Sequence, residues 1–353
     1  TGERNTAIGV NALYANTTTS YLVAIGQGAL GSNTSGGGNT AVGTFALDTN
    51  TTGGGNTAVG KDALDANTTA SQNTAIGYQS LKANTTAGSN TAVGNSTLTN
   101  NTTGADNTAI GRDALNDNTT GASNVAIGAF ALDASTTGQK NVAVGTSAGG
   151  ALTNGELNTF VGYRAAWSFS GTGSTAIGGS ALQQNTASNN TAVGREAAYN
   201  NTSAGYTTAI GYRALYTNTT GEYNTALGYE ALYDNTTGNK NVALGAYALG
   251  DNTTGQYNTA IGYGALTAST IANSNTAVGE QALNATTTGQ NNTGVGKSAL
   301  QVNTTGANNT AIGYLALDAN TTAWSNTAFG AYALSANTTG QNNIAIGKDA
   351  LKA

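Results

Sequence analysis

Along the chain a short apolar burst and a glycine return at a nearly constant interval. The burst usually reads Ala-Ile-Gly or Ala-Val-Gly, and its glycine stands at 9, 26, 43, 60, 77, 94, 111, 128, 145, 162, 178, 194, 211, 228, 245, 262, 279, 296, 313, 330 and 347. Of the 20 intervals between these 21 marker glycines, 18 are 17 residues long, and the two of 16 flank Gly178. Between bursts lie an Ala-Leu pair and a polar Asn-Thr-Thr-Gly segment. The unit therefore reads N-T-A-[IV]-G-x-x-A-L-x-x-N-T-T-G-x-x, as from Asn224 to Gly238. A period of this size is the signature of a solenoid with one supersecondary unit per repeat.

The residue types choose the unit. Asn, Thr and Gly form helices poorly, Thr-Ala-Ile alternates in the manner of a strand, and Asn-Thr-Thr-Gly carries turn chemistry. The fold expected is all-β: a parallel β-solenoid (β-roll) of about 21 coils. Each coil is expected to hold two short strands, with bulky residues such as Ile8 and Leu13 in its core. Adjacent Ala12 and Leu13 break the alternation, which leaves a single helical or 3₁₀ turn as the alternative there. Stacked at about 4.8 Å, such coils give a rod on the order of 100 Å long.

Residues 1–353 read as one continuous array. Both termini fall inside the motif without atypical capping repeats, so a segment of a longer protein is expected. The repeat degrades over 149–207, where Gly149, Ala166 and Ala198 replace the coil Leu and Phe160, Trp167 and Phe169 gather. A void left by Leu and filled by a neighbouring aromatic predicts a local bend or altered cross-section there.

Composition narrows the chemistry. Charged residues are 8% of the chain, against roughly 25% in ordinary domains. There is no His, Cys, Pro or Met. That removes the usual general base near neutral pH, thiolate nucleophiles and the commonest metal ligands. No catalytic, cofactor or metal residue is assigned, and an enzyme is not expected. A net charge of −5 with scattered basic residues argues against nucleic acid, and no apolar run is long enough to span a membrane.

Gly26-Gln27-Gly28-Ala29-Leu30-Gly31 matches a dinucleotide fingerprint, but Gly26 is a marker glycine and the strand-then-helix context is missing. Gly145-Thr146-Ser147-Ala148-Gly149 matches a nucleophile elbow, whose Ser has no His to serve it. Twelve Asn-Thr-Thr triplets match the N-glycosylation pattern, but that match is weak alone, and the Asn is expected instead to stack as a hydrogen-bonded ladder inside successive turns. Their Thr rows suggest ice binding, against which the neighbouring turn residues vary. Tyr78, Tyr163, Tyr212, Tyr229, Tyr263 and Tyr314 follow marker glycines and form a candidate contact row for sugar or protein.

Two Ala positions recur. The residue two before the marker glycine is Ala in 19 of 21 coils, and so is the residue three after it. Such rows either fill the inside of a flat coil or, given few bulky residues per coil, mark packing between copies, with Ala226, Ala243 and Ala260 as candidate interchain residues. Asn-Thr-Ala-Ile-Gly resembles the N-S-V-A-I-G head repeats of trimeric autotransporter (YadA-like) adhesins. The longer motif from Asn224 to Gly238 is similar to repeats of bacterial surface and phage tail-fibre proteins. The resemblance implies a homotrimeric rod, placed extracellularly, at the cell surface or in a virion tail fibre. The function expected is a non-enzymatic fibre or adhesin rod, with self and host or cell-surface glycan or protein as partners. An ice- or glycan-binding module, or a self-assembling filament subunit, is the alternative.

Overall fold

In a computed structural model, which describes residues 2–352, the chain forms a parallel β-solenoid of 17-residue coils with no helix among the described residues. It divides into two compact units, Thr1–Ser174 and Thr175–Ala353, whose terminal Thr1 and Ala353 lie outside the described residues. The first unit runs from strand Thr6–Ile8 to strand Thr159–Val161, the second from Thr175–Ile177 to Ile344–Ile346. The division falls inside the stretch 149–207 where the repeat weakens.

Each coil contributes one strand of three residues, where two were expected. Consecutive strands within a unit pair in parallel without slippage: Ala58 lies opposite Ala75 in the first unit, and Ala226 opposite Ala243 in the second. The second strand is missing because the segment after the marker glycine is a chain of tight turns. Its residues two and four places on adopt positive φ in most coils, as Asp62 (57°) and Leu64 (52°) or Glu230 (50°) and Leu232 (53°) do. These left-handed residues curl the chain and still aim their N–H groups along the stack. Glu230 N–H donates to the Tyr212 carbonyl one coil back (3.0 Å), and Leu232 N–H to the Ala248 carbonyl one coil ahead (3.0 Å). Left-handed backbone is costly for Leu, but it carries the side chain inside. Leu64 and Leu232 are fully buried. The same geometry replaces the helical or 3₁₀ turn entertained at Ala12-Leu13.

The marker glycine sits where no side chain fits. Gly228 has φ +143°, and a Cβ there would come within 2.5 Å of the Gly245 carbonyl oxygen. Successive marker glycines therefore stack backbone on backbone.

The strand is inverted relative to the expectation that its bulky residue fills the core. In the strand Thr225–Leu227 the middle Ala226 is fully buried, while Leu227 is 42% exposed. Strand alternation sends the middle side chain inward, and the interior between strand and Leu turn is narrow enough that Ala fills it. Ala226, Ala243 and Ala260 are thus covered by their own chain, and this row does not face a partner copy.

Polar ladders complete the interior. The Asn of most Asn-Thr-Thr triplets donates an amide hydrogen to the side-chain oxygen one coil before it: Asn67 to Asn50 (2.8 Å) and Asn235 to Asn218 (2.7 Å). It also donates to a carbonyl three residues on, as Asn235 does to Gly238 (3.0 Å). A second column lies four residues before the marker glycine. There the backbone N–H of Asn73 donates to Asn56 Oδ1 (2.9 Å), and that of Asn241 to Asn224 Oδ1 (2.9 Å). Buried amides are tolerated because most have both their donor and acceptor sides engaged.

Candidate functional site

With the interior consumed by coil-to-coil bonding, whatever the protein recognises must meet its outer surfaces. Three were flagged by the sequence: the Asn-Thr-Thr turns, the tyrosine row and the Ala rows, which the fold places inside.

The Asn-Thr-Thr turns are largely closed to chemistry. Ten of the twelve triplet asparagines are fully buried, including Asn50, Asn118, Asn235 and Asn320, so a sugar cannot be attached to them in the folded chain. The first Thr spends its hydroxyl on the stack as well: Thr68 donates to the Thr85 carbonyl (3.2 Å) and Thr236 to the Thr253 carbonyl (2.9 Å).

The tyrosines are on the outside, and the fold groups them in ways the single slot after the marker glycine did not reveal. Tyr78, Tyr163, Tyr229, Tyr263 and Tyr314 are well exposed and Tyr212 is half-buried. Tyr212 stacks on Tyr229 (ring centroids 5.4 Å apart), and Tyr229 meets Tyr247 edge-on at 5.3 Å. Tyr247 in turn meets Tyr263, and Tyr314 meets Tyr332. Tyr163 instead lies under the Arg164 guanidinium.

A second ladder was missed: Tyr199, Tyr216 and Tyr233 stack at 5.3 and 5.2 Å with nearly parallel rings. A third pair, Tyr206 and Tyr223, stacks on another turn. The signal was present as tyrosines separated by 17 residues. Arg213 sits between the first two ladders, 5.0 Å from the Tyr212 ring and 5.3 Å from that of Tyr216. Its Nε donates to Glu196 Oε2 at 2.6 Å. That bond, reinforced by Arg195, holds the Glu196 carboxyl below its ordinary range, while burial pushes the Tyr216 phenol up. In the parallel stacks the ring faces cover each other, so these rows offer edges and hydroxyls rather than flat platforms to a ligand.

The third surface was not singled out in the sequence. Each strand turns its first and third residues outward, making one column mostly of Thr and a second of Ile, Val or Leu apart from Phe329. In the first unit the second column includes Ile25 at 36%, Ile76 at 39% and Ile110 at 40% exposure. No strand residue in either unit is charged. The hydroxyls of Thr57, Thr74 and Thr91 bond to no group of the chain, although these residues are partly exposed. This contrasts with the turn threonines. Among the described residues no group of three or more acidic side chains is placed to hold a metal ion. No protein-family model matches the chain, and no curated protein matches it either.

Proposed function

We propose that the chain is a non-enzymatic structural element of an extracellular fibre, a surface adhesin or a virion tail fibre, which presents a repeated surface for attachment. The observation that carries this reading is the division of labour within each coil. Nearly every polar group turned inward bonds to the coil before or after it, and variation is pushed outward. An element built this way gains length by adding coils, because each interacts only with its neighbours. The tyrosine ladders around Tyr199–Tyr263 are the attachment surface we assign, since Tyr and Arg together dominate the energetic centres of binding surfaces.

The test is binding of the folded chain to glycan arrays and to whole cells, compared with a variant carrying Tyr216→Ser and Tyr229→Ser. Binding that the wild type shows and the variant loses supports the assignment. Binding equal in both removes the ladders from it, and a folded chain that binds nothing in either assay leaves only scaffolding. Homotrimer formation belongs to the same proposal. With the Ala rows inside, side-by-side copies would have to meet on other, outward surfaces, and light scattering reads their number directly.

A further inference from the structure

We propose that the strand face binds ice. Three observations converge on it. First, the face repeats without slippage within each unit, because every strand pairs with the next at the same three positions, as Thr259–Ile261 does with Thr276–Val278. Parallel strands set the rows about 4.8 Å apart, and the two outward columns stand about 6.6 Å apart along the strand. That row spacing is close to the repeat of oxygen atoms on an ice surface. Second, the columns differ in the way an ordered water layer requires. One carries hydroxyls with no partner in the chain, and the other carries methyl groups that water can only enclose. Thr, Val and Ile have stiff side chains, so hydroxyls and methyls keep their spacing. Third, charge is excluded from all of the strands, whereas the chain does place Lys, Arg, Asp and Glu on its turns, as at Lys61, Asp62, Arg112 and Asp113. A charged side chain would orient water around itself and break the lattice.

The interior supplies what the face needs. Sheets of many strands normally twist, and side-chain ladders are one of the devices that suppress twist. Two such ladders, of Asn, run behind this face in each unit. The Asn-Thr-Thr rows, which suggested ice binding from the sequence, are the wrong ones. Their first hydroxyl donates to the next coil, and the residues beside them vary from Gly53-Gly54-Gly55 to Gly221-Glu222-Tyr223. A dry protein partner fits the strand face less well, because it would cover a whole column of hydroxyls that then need partners of their own.

The experiment measures ice recrystallisation and thermal hysteresis with the purified chain. It compares a strand-face variant (Thr259→Lys, Ile261→Lys, Thr276→Lys and Val278→Lys) with a turn variant (Thr237→Lys and Thr254→Lys). Circular dichroism confirms folding, and serine in place of each strand lysine serves if the lysines disturb it. The wild type should arrest recrystallisation and shape the crystals. The strand variant should lose about tenfold or more of that activity, because ice cannot accommodate a desolvated charge, and the turn variant should keep it. A folded wild type without ice activity overturns the proposal, as does equal activity in the strand and wild-type proteins. Strand variants that lower the mass seen by light scattering while ice activity is unchanged would assign the face to contacts between copies instead.

Discussion

Two stretches of the first unit solve the same packing problem differently. From Gly60 to Asn118 every coil has a strand Ala, a turn Leu or its equivalent, and a triplet Asn whose amide joins the ladder. From Gly145 to Phe169 three of these columns change together. The strand residue becomes Phe160, the coil Leu becomes Gly149 and then Ala166, and the ladder positions become Leu152 and Phe169. Phe160 and Phe169 are fully buried and meet edge-on with centroids 5.2 Å apart. A Cβ on Gly149 would fall within 2.8 Å of the Phe160 ring, so the aromatic occupies the space of the lost Leu. Meanwhile the other Asn column continues, with Asn158 N–H donating to Asn141 Oδ1 (3.1 Å). The interior is therefore assembled column by column. One column switches from polar to apolar only when its neighbours exchange volume with it.

The largest effects should come from undoing that exchange. Phe160→Ala alone should cost about 3–5 kcal/mol through the cavity it opens. Adding Gly149→Leu and Ala166→Leu, which restores the strand and coil-Leu columns, should recover most of it in denaturant unfolding. A triple variant as unstable as the single one would show that the columns are independent.

In the regular stretch, Asn84→Leu imitates Leu152 without the supporting Phe169. It strands Asn67 Oδ1 and one hydrogen of the Asn101 amide, which now bond to Asn84 at 3.1 and 2.9 Å. The expected loss is about 2–3 kcal/mol, read as a lower melting midpoint.

The converse gain lies in the second unit, where Ser269 and Thr286 interrupt the ladder. They leave Asn252 Oδ1, Ser269 Oγ and Thr286 Oγ1 buried without partners. Ser269→Asn combined with Thr286→Asn should make the column continuous and stabilise by about 1 kcal/mol per restored bond. A lower melting temperature would contradict the ladder's role.

Leu157→Gly is expected to stabilise more modestly. This leucine is 60% exposed and has a φ of 60°. Relief of left-handed strain, worth about 1–2 kcal/mol, is partly offset by the extra freedom of unfolded glycine.

The smallest effect is that of pH. Burial raises the carboxyls of Asp48, Asp65, Asp133, Asp234, Asp251 and Asp318. Groups with a raised folded value contribute stability below their unfolded value and lose it as pH rises through the folded one. Glu196, lowered by its bond to Arg213, works the opposite way as pH falls. With six against one, the melting temperature at about pH 4.5 should equal or exceed that at about pH 7.

The period, the parallel solenoid and the Asn ladder were legible in the sequence because each depends on residues 17 apart repeating their own type. The direction of the side chains was not. Ile looks like core and Ala like a contact row until the backbone is known to turn left-handed at positions such as Asp62 and Leu64, a conformation that residue preferences disfavour. Once Leu enters from that turn, only Ala fits beside it, and Ile or Val is pushed outside. The candidate surfaces followed suit. The row of Tyr212, Tyr229 and Tyr263 was visible, whereas Tyr199, Tyr216 and Tyr233 occupy a different slot, and the strand face had been counted as core.

The coil's interior and its outer surfaces both depend on which way the strand faces, and cysteine labelling reads this directly because the chain has no cysteine of its own. Thr225→Cys, Ala226→Cys and Leu227→Cys would each be exposed to a maleimide under native conditions. The structure predicts rapid labelling at 225 and 227, where the side chains are exposed, and none at 226 until denaturant is added. Rapid labelling at 226 with protection at 227 would contradict it, putting Leu227 back in the core and the Ala row on the outside.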